Sequence, residues 1–116
     1  MFMFVAFIGL HAQEITFEQE IIDYGDLAKG ADSDRTYTFK NTGDEPLVIK
    51  MVRPACGCTV AEYPRTPIAP GSSGVIKVGY DTQRVGPFNK TIEVHSNANE
   101  NGRKILRIKG RVVEQL

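Results

Sequence analysis

Tryptophan is absent from this chain of 116 residues, and histidine and cysteine occur only twice each. Neither sign of charge is in excess, with 14 basic and 14 acidic side chains. That balance argues against nucleic acid as the main partner, because neutralising phosphates needs a basic excess or a basic patch. No apolar run approaches the roughly 20 residues that a membrane-spanning helix needs. No Gly-x-Ser-x-Gly elbow, His-Glu-x-x-His pair or phosphate-cradling glycine loop occurs. A nucleophile needs a base within hydrogen-bond reach and a third group to orient it. Beyond residue 12 only His95 is left to supply an imidazole. No catalytic residue and no cofactor-binding residue is therefore indicated, and an enzyme is not expected.

What is present begins with "MFMFVAFIGLHAQ", apolar from Met1 to Leu10. About ten apolar residues fit the h-region of a secretory signal peptide, cut after Ala12. No basic residue precedes the run and Leu10 occupies the −3 position, which predicts a true start further upstream. A buried N-terminal strand is the competing reading. The expectation is a leader over residues 1–12 and one domain over 13–116, secreted or periplasmic, with no membrane span once the leader is removed.

The remaining residues punctuate like a β protein. No sustained i, i+3, i+4, i+7 pattern survives inspection, which argues against helices. Short alternating runs recur instead. "ITFEQEIIDYG" carries Ile15, Phe17, Ile22 and Tyr24, with a skipped phase near Glu20 that reads as a kink or bulge. "RTYTFKN" puts Tyr37 and Phe39 on one face. "PLVIKMVR" has apolar residues on both faces, as a central strand would. "GVIKVGYDT", "FNKTIEVHSN" and "KILRIKGRVV" complete the set. Between them lie "NTGDEP", "APGSSG" and "SNANENG", rich in residues that favour turns. About seven strands at this spacing predict an all-β, immunoglobulin-like β-sandwich of antiparallel strands. The usual inter-sheet disulfide and core tryptophan are both missing.

Both cysteines sit in "RPACGCTVAEYP", as Cys56 and Cys58. In an extended strand residues i and i+2 face the same way, with Cα atoms about 6.6 Å apart. That is the upper limit of disulfide geometry. Gly57 can take a positive φ and draw the ends together, so a bond is possible but expected to be strained, and a strained, exposed bond is labile. Two thiolates on one side would also suit Cu(I), which makes Cys56 and Cys58 the candidate metal ligands. A closed zinc site wants four ligands. If residues 47–53 pair antiparallel with residues 88–96, His95 lies on the order of 20 Å from the cysteines at about 3.4 Å per residue, so it is not a co-ligand. The third reading is that the cysteines are small packed residues, since a free cysteine behaves as a small hydrophobe.

The basic row Arg107, Lys109 and Arg111 reads as a solvated sheet face matched by acidic residues such as Glu93 on a neighbouring strand. His95 reads as a surface residue. Asn89-Lys90-Thr91 is formally a glycosylation sequon.

Several pieces occur together in a recognisable order: "DYG" at Asp23–Gly25, "FKNTGDEPLVI" at Phe39–Ile49, "CGCT" at Cys56–Thr59, "IAPGSSGVIKV" at Ile68–Val78, and G-x-F-x-K-x-I at Gly86–Ile92. With them the chain resembles the bacterial domain of unknown function 1573 family over nearly all of its length beyond residue 12. The resemblance implies a secreted or periplasmic immunoglobulin-like sandwich, akin to major-sperm-protein and pilus-chaperone-like domains, which often act in protein interaction. It marks Cys56, Gly57, Cys58 and Thr59 as a shared motif without giving them a role. The short, uncharged start departs from the leaders of that family. The function expected is non-enzymatic interaction or scaffolding with other extracytoplasmic proteins. The alternative is a small thiol protein that uses Cys56 and Cys58 for disulfide exchange or Cu(I) binding.

Overall fold

The computed structural model describes residues 13–98 and 102–116. The predicted leader, residues 1–12, lies outside them, as does the middle of the "SNANENG" loop. Eight strands are present and, among the described residues, no helix: β1 Ile15–Phe17, β2 Ile21–Ala28, β3 Arg35–Asn41, β4 Ile49–Pro54, β5 Thr59–Glu62, β6 Ser73–Tyr80, β7 Gly86–Ser96 and β8 Arg103–Val113. They form two four-stranded sheets, ordered β1-β3-β6-β5 and β2-β8-β7-β4. The expected β-sandwich is the observed fold.

The inner faces follow the period-2 alternation of the sequence. Tyr37 and Phe39 on β3, Ile76 and Val78 on β6, Ile92 and Val94 on β7, and Leu106, Ile108 and Val112 on β8 are almost wholly buried. Each such side chain contributes roughly 1.5–3 kcal/mol relative to exposure. Phe17 meets Tyr37 edge-on and Phe39 at a tilt, with ring centroids 6.5 and 5.7 Å apart. The Tyr37 hydroxyl crosses the core and donates to the Arg107 carbonyl at 2.5 Å. This bond ties the sheets together where an inter-sheet disulfide is lacking. Burial pushes the Tyr37 hydroxyl well above the usual phenol range.

Three local expectations are corrected, and one strand comes without a sequence signal. The skipped phase near Glu20 is neither a kink nor a bulge within one strand. The chain leaves the first sheet after Phe17 and joins the second at Ile21, because Glu18, Gln19 and Glu20 offer nothing for the core. This split and the unread β5 turn the six runs named in the sequence into eight strands, against the about seven expected. A register shift does occur further on, between Asp23 and Asp26. There Gly25 takes a φ of 66° and its N–H bonds the Asp23 carboxylate at 2.9 Å.

Secondly, β2 runs parallel to β8, so the sandwich is not wholly antiparallel. Thirdly, the run around Ile49 is not a central strand, because β4 lies at the edge of its sheet. Its apolar residues on both faces come from an irregularity between Ile49 and Met51. Leu47 and Ile49 point inward before it, while Met51 is left partly exposed after it. Finally, β5 carries no alternation long enough to read, and its four residues directly follow the cysteines.

Candidate functional site: the Cys56–Cys58 turn

β4 ends one edge of the second sheet and β5 ends one edge of the first. Ala55 to Cys58 is the turn that carries the chain between them. Its ends are pinned by backbone bonds: Ala55 N–H to Thr91 O at 3.0 Å, on β7, and Asp81 N–H to Cys58 O at 2.8 Å, just past β6. The predicted placement of the cysteines, past the end of one strand and beside the start of Phe88–Ser96, is what the register shows.

Within the turn the sulfurs of Cys56 and Cys58 are bonded, and their Cα atoms are 5.3 Å apart. That separation is inside the ordinary disulfide range, unlike the 6.6 Å of an extended strand. The closure does not use a left-handed glycine, because Gly57 is not among the positive-φ residues. A Cβ at Gly57 would meet nothing within 4 Å. The two sulfurs differ in surroundings. Cys58 is 3% exposed and belongs to the core, whereas Cys56 is half-buried against it. Each sulfur also has a donor beside it. The Cys58 N–H points at Cys56 Sγ at 3.3 Å, and Thr59 Oγ1 lies 3.7 Å from Cys58 Sγ.

This disulfide staples little. It closes a loop of three residues, Cys56 to Cys58. The chain-entropy relation gives such a loop about 1.6 kcal/mol, against about 3 for a loop of 15.

Beside the turn lies a groove of about 380 Å³ lined by Ser33, Asp34, Gly57, Cys58, Val60 and Asp81, among others. Its carboxylates are paired, Asp34 with Lys77 at 3.5 Å and Asp81 with Arg84 at 3.3 Å. A second hollow continues along β5 past Glu62. Ser33 anchors the far wall: its hydroxyl donates to Tyr80 O at 2.6 Å and accepts from Tyr80 N–H at 2.9 Å. The Tyr24 hydroxyl donates to Ser33 O at 2.7 Å. Burial, the dominant cause, pushes the Tyr24 hydroxyl up to about 12.

The other sequence candidates fall elsewhere. His95 pairs with Met51 across β4 and β7, and its ring meets the Glu93 carboxylate at 3.0 Å. It is not brought to the cysteines. Among the described residues no group of three or more His, Cys, Asp or Glu is placed to hold a metal. The basic row lies on β8 as predicted, but Glu93 does not match it. Asp26 on β2 pairs with Arg111 at 3.6 Å, Asp23 stands opposite Lys109, and Asn89 of the sequon accepts from Arg107 at 2.6 Å. Such exposed pairs contribute about 0–1 kcal/mol each.

Sequence reasoning missed a polar centre at the opposite end of β6. Asn41 is wholly buried. Its side chain donates to Glu45 O and Ile68 O at 2.7 and 2.8 Å, and accepts from Gly43 N–H and the Gln13 amide at 2.9 and 2.8 Å. The available signal was "NTG", an Asn poised to bond the backbone two residues on.

The profile of a family described as "Protein of unknown function (DUF1573)" matches residues 15–112, and the chain belongs to that family. A comparison with curated proteins finds no match. Among solved structures, a protein of unknown function from Porphyromonas gingivalis W83 is similar at 20% identity with a TM-score of 0.78, over 91% of this chain and 50% of that one. This chain thus spans half the length of that relative. A PapD-like domain of human CEP192 matches at 7% identity and a TM-score of 0.72, over 100% and 96% of the two chains. The YadV chaperone matches at 14% identity and a TM-score of 0.63, over 85% and 52%. At these identities the structural likenesses establish the fold, which is PapD-like and immunoglobulin-like.

Proposed function

We propose, from the premise that this chain belongs to a family of unknown function with a PapD-like sandwich, that it is a non-enzymatic, extracytoplasmic binding or scaffold domain. Its partner is another protein, taken up along the outer edge of β5. The observation that carries this reading is the state of that edge. Among the described residues β5 has a strand neighbour on one side only, and its Val60 is 66% exposed.

The other three edges are better protected by the devices that block strand addition. β2 is interrupted at Asp23–Asp26, β4 carries Lys50 and Arg53 and closes on Pro54, and β1 at three residues is shorter even than the four-residue β5. An extended segment laid along β5 would gain main-chain hydrogen bonds and a contact for one apolar side chain at Val60. The likeness to a chaperone and to a PapD-like domain is compatible with this use. The apolar run at residues 1–12 supports delivery outside the cytoplasm.

The test is a photo-crosslinking amino acid placed at Val60 and, as control, at Thr38 on the central strand β3, in the native cell. The reading expects a discrete adduct of protein mass from Val60 and none from Thr38. Equal labelling from both positions, or none from Val60, would refute it. N-terminal sequencing of the mature chain should begin near Gln13.

A further inference from the structure

The geometry points to a second property, separate from edge binding: the Cys56–Cys58 bond is a thiol–disulfide exchange site that oxidises dithiol polypeptides. Four observations converge. The bond spans only three residues, so it is a poor staple. The two cysteines are unequally exposed, Cys56 half-buried and Cys58 at 3%. Nothing lies within 4 Å of where a Gly57 side chain would stand, so the outer face of the turn is uncovered. Each sulfur also has a hydrogen-bond donor that would stabilise it as a thiolate, the Cys58 N–H for Cys56 and the Thr59 hydroxyl for Cys58. A disulfide whose reduced form is stabilised is an oxidant.

The steps follow from this asymmetry. A substrate thiolate attacks Cys56 Sγ. The Cys56–Cys58 bond breaks, and Cys58 leaves with the electron pair as a thiolate, receiving the Thr59 hydroxyl hydrogen bond. Burial opposes that charge, so the Thr59 donor is what makes Cys58 a leaving group. The second substrate thiolate then attacks the substrate sulfur of the mixed disulfide and releases Cys56 as a thiolate, beside the Cys58 N–H. The substrate has lost two electrons and two protons. The protein has gained two electrons, and its two thiolates take up two protons from water. One chain oxidises one substrate. The groove that starts at Gly57 and Cys58 and runs past Val60 favours a polypeptide over a small thiol.

The test uses the full chain with its disulfide intact and, as probe, a reduced synthetic peptide with two cysteines two residues apart. Acid-quenched mass spectrometry should show one peptide per chain losing two hydrogens as the protein gains two. The rate should exceed that of glutathione at least tenfold at equal thiolate concentration. With a one-cysteine peptide activated as its mixed disulfide with thionitrobenzoate, Cys58→Ser should hold the peptide as a mixed disulfide on Cys56, and Cys56→Ser should react at least tenfold more slowly. Thr59→Val should slow exchange about fivefold and move the alkylation pH profile of reduced Cys58 upward, and Thr59→Ser should restore both. An inert disulfide in the folded wild-type chain overturns the proposal, whatever the variants do. So does a rate no greater than that of glutathione, capture on Cys58 in place of Cys56, or a Thr59→Val chain with wild-type rate and profile. None of these outcomes bears on the β5 edge, which is tested by crosslinks.

Discussion

Two motifs stand at opposite ends of β6, and both place polar atoms or sulfur against the core. At one end is Asn41 with "NTG", and at the other are the cysteines with "CGCT". The Asn41 amide is fully buried, and all of its bonding capacity is met by Gln13, Gly43, Glu45 and Ile68. It has nothing left to offer a ligand. The cysteine turn is anchored as firmly by its backbone, through Thr91 and Asp81, yet it leaves Cys56 only half-buried, one residue from the Gly57 wall of a groove. A motif whose bonds all close inward reads as structure. One whose backbone is closed while a reactive atom stays open reads as a site.

Substitutions can break this contrast, and the largest effect is expected at Asn41. Asn41→Leu leaves the buried Gly43 N–H and the part-buried Glu45 O without their partners. At about 1–3 kcal/mol for each unsatisfied group, the loss should be about 3 kcal/mol in denaturant unfolding. Gly43→Ala comes next. Its new Cβ would sit 2.7 Å from the backbone nitrogen of Glu14, and overpacking of this kind costs about 1–3 kcal/mol.

Reducing the Cys56–Cys58 bond should lower stability by no more than about 1.6 kcal/mol, measured by unfolding the chain with and without reductant. Gly57→Ala should be the mildest, within about 0.5 kcal/mol and of either sign, because its Cβ enters open space at an ordinary φ. A loss at Gly57 as large as at Gly43 would mean that both ends of β6 are structural.

A pH titration sharpens the same contrast. Tyr24 braces Ser33, the wall of the cysteine groove, and holds its proton to about pH 12 when folded, while an unfolded tyrosine releases it near pH 10. The folded pKa is the raised one. Stability from Tyr24 is therefore complete below pH 10 and lost between pH 10 and about 12. Tyr24→Phe should make that part of the unfolding profile less steep, leaving the fall that Tyr37 contributes.

Much of the fold was legible. Alternation at Tyr37 and Phe39, Ile76 and Val78, and Leu106 and Ile108 placed the inner faces correctly, because burial on one side of a strand imposes a period of two. What failed was anything set by long-range contact. The sequence around Glu20 shows a break in phase, but only the partners of Ile15 and Ile22 decide that the break is a change of sheet. The pattern around Ile49 mimics a two-sided strand because an irregularity in register is invisible without its neighbour, β7.

At the site, the turn and the isolation of His95 from the sulfurs followed from spacing and strand pairing. The unequal exposure of Cys56 and Cys58 did not. It depends on β5 turning Cys58 into the core, and β5 was too short to read.

The most direct measurement follows the Cys56–Cys58 bond and the fold in one redox titration of the full chain with glutathione buffers, reading thiols by alkylation and the β-sandwich by circular dichroism. The account predicts that the bond opens fully while the sheet signal stays unchanged. A bond that opens only as the sheet signal is lost would contradict it.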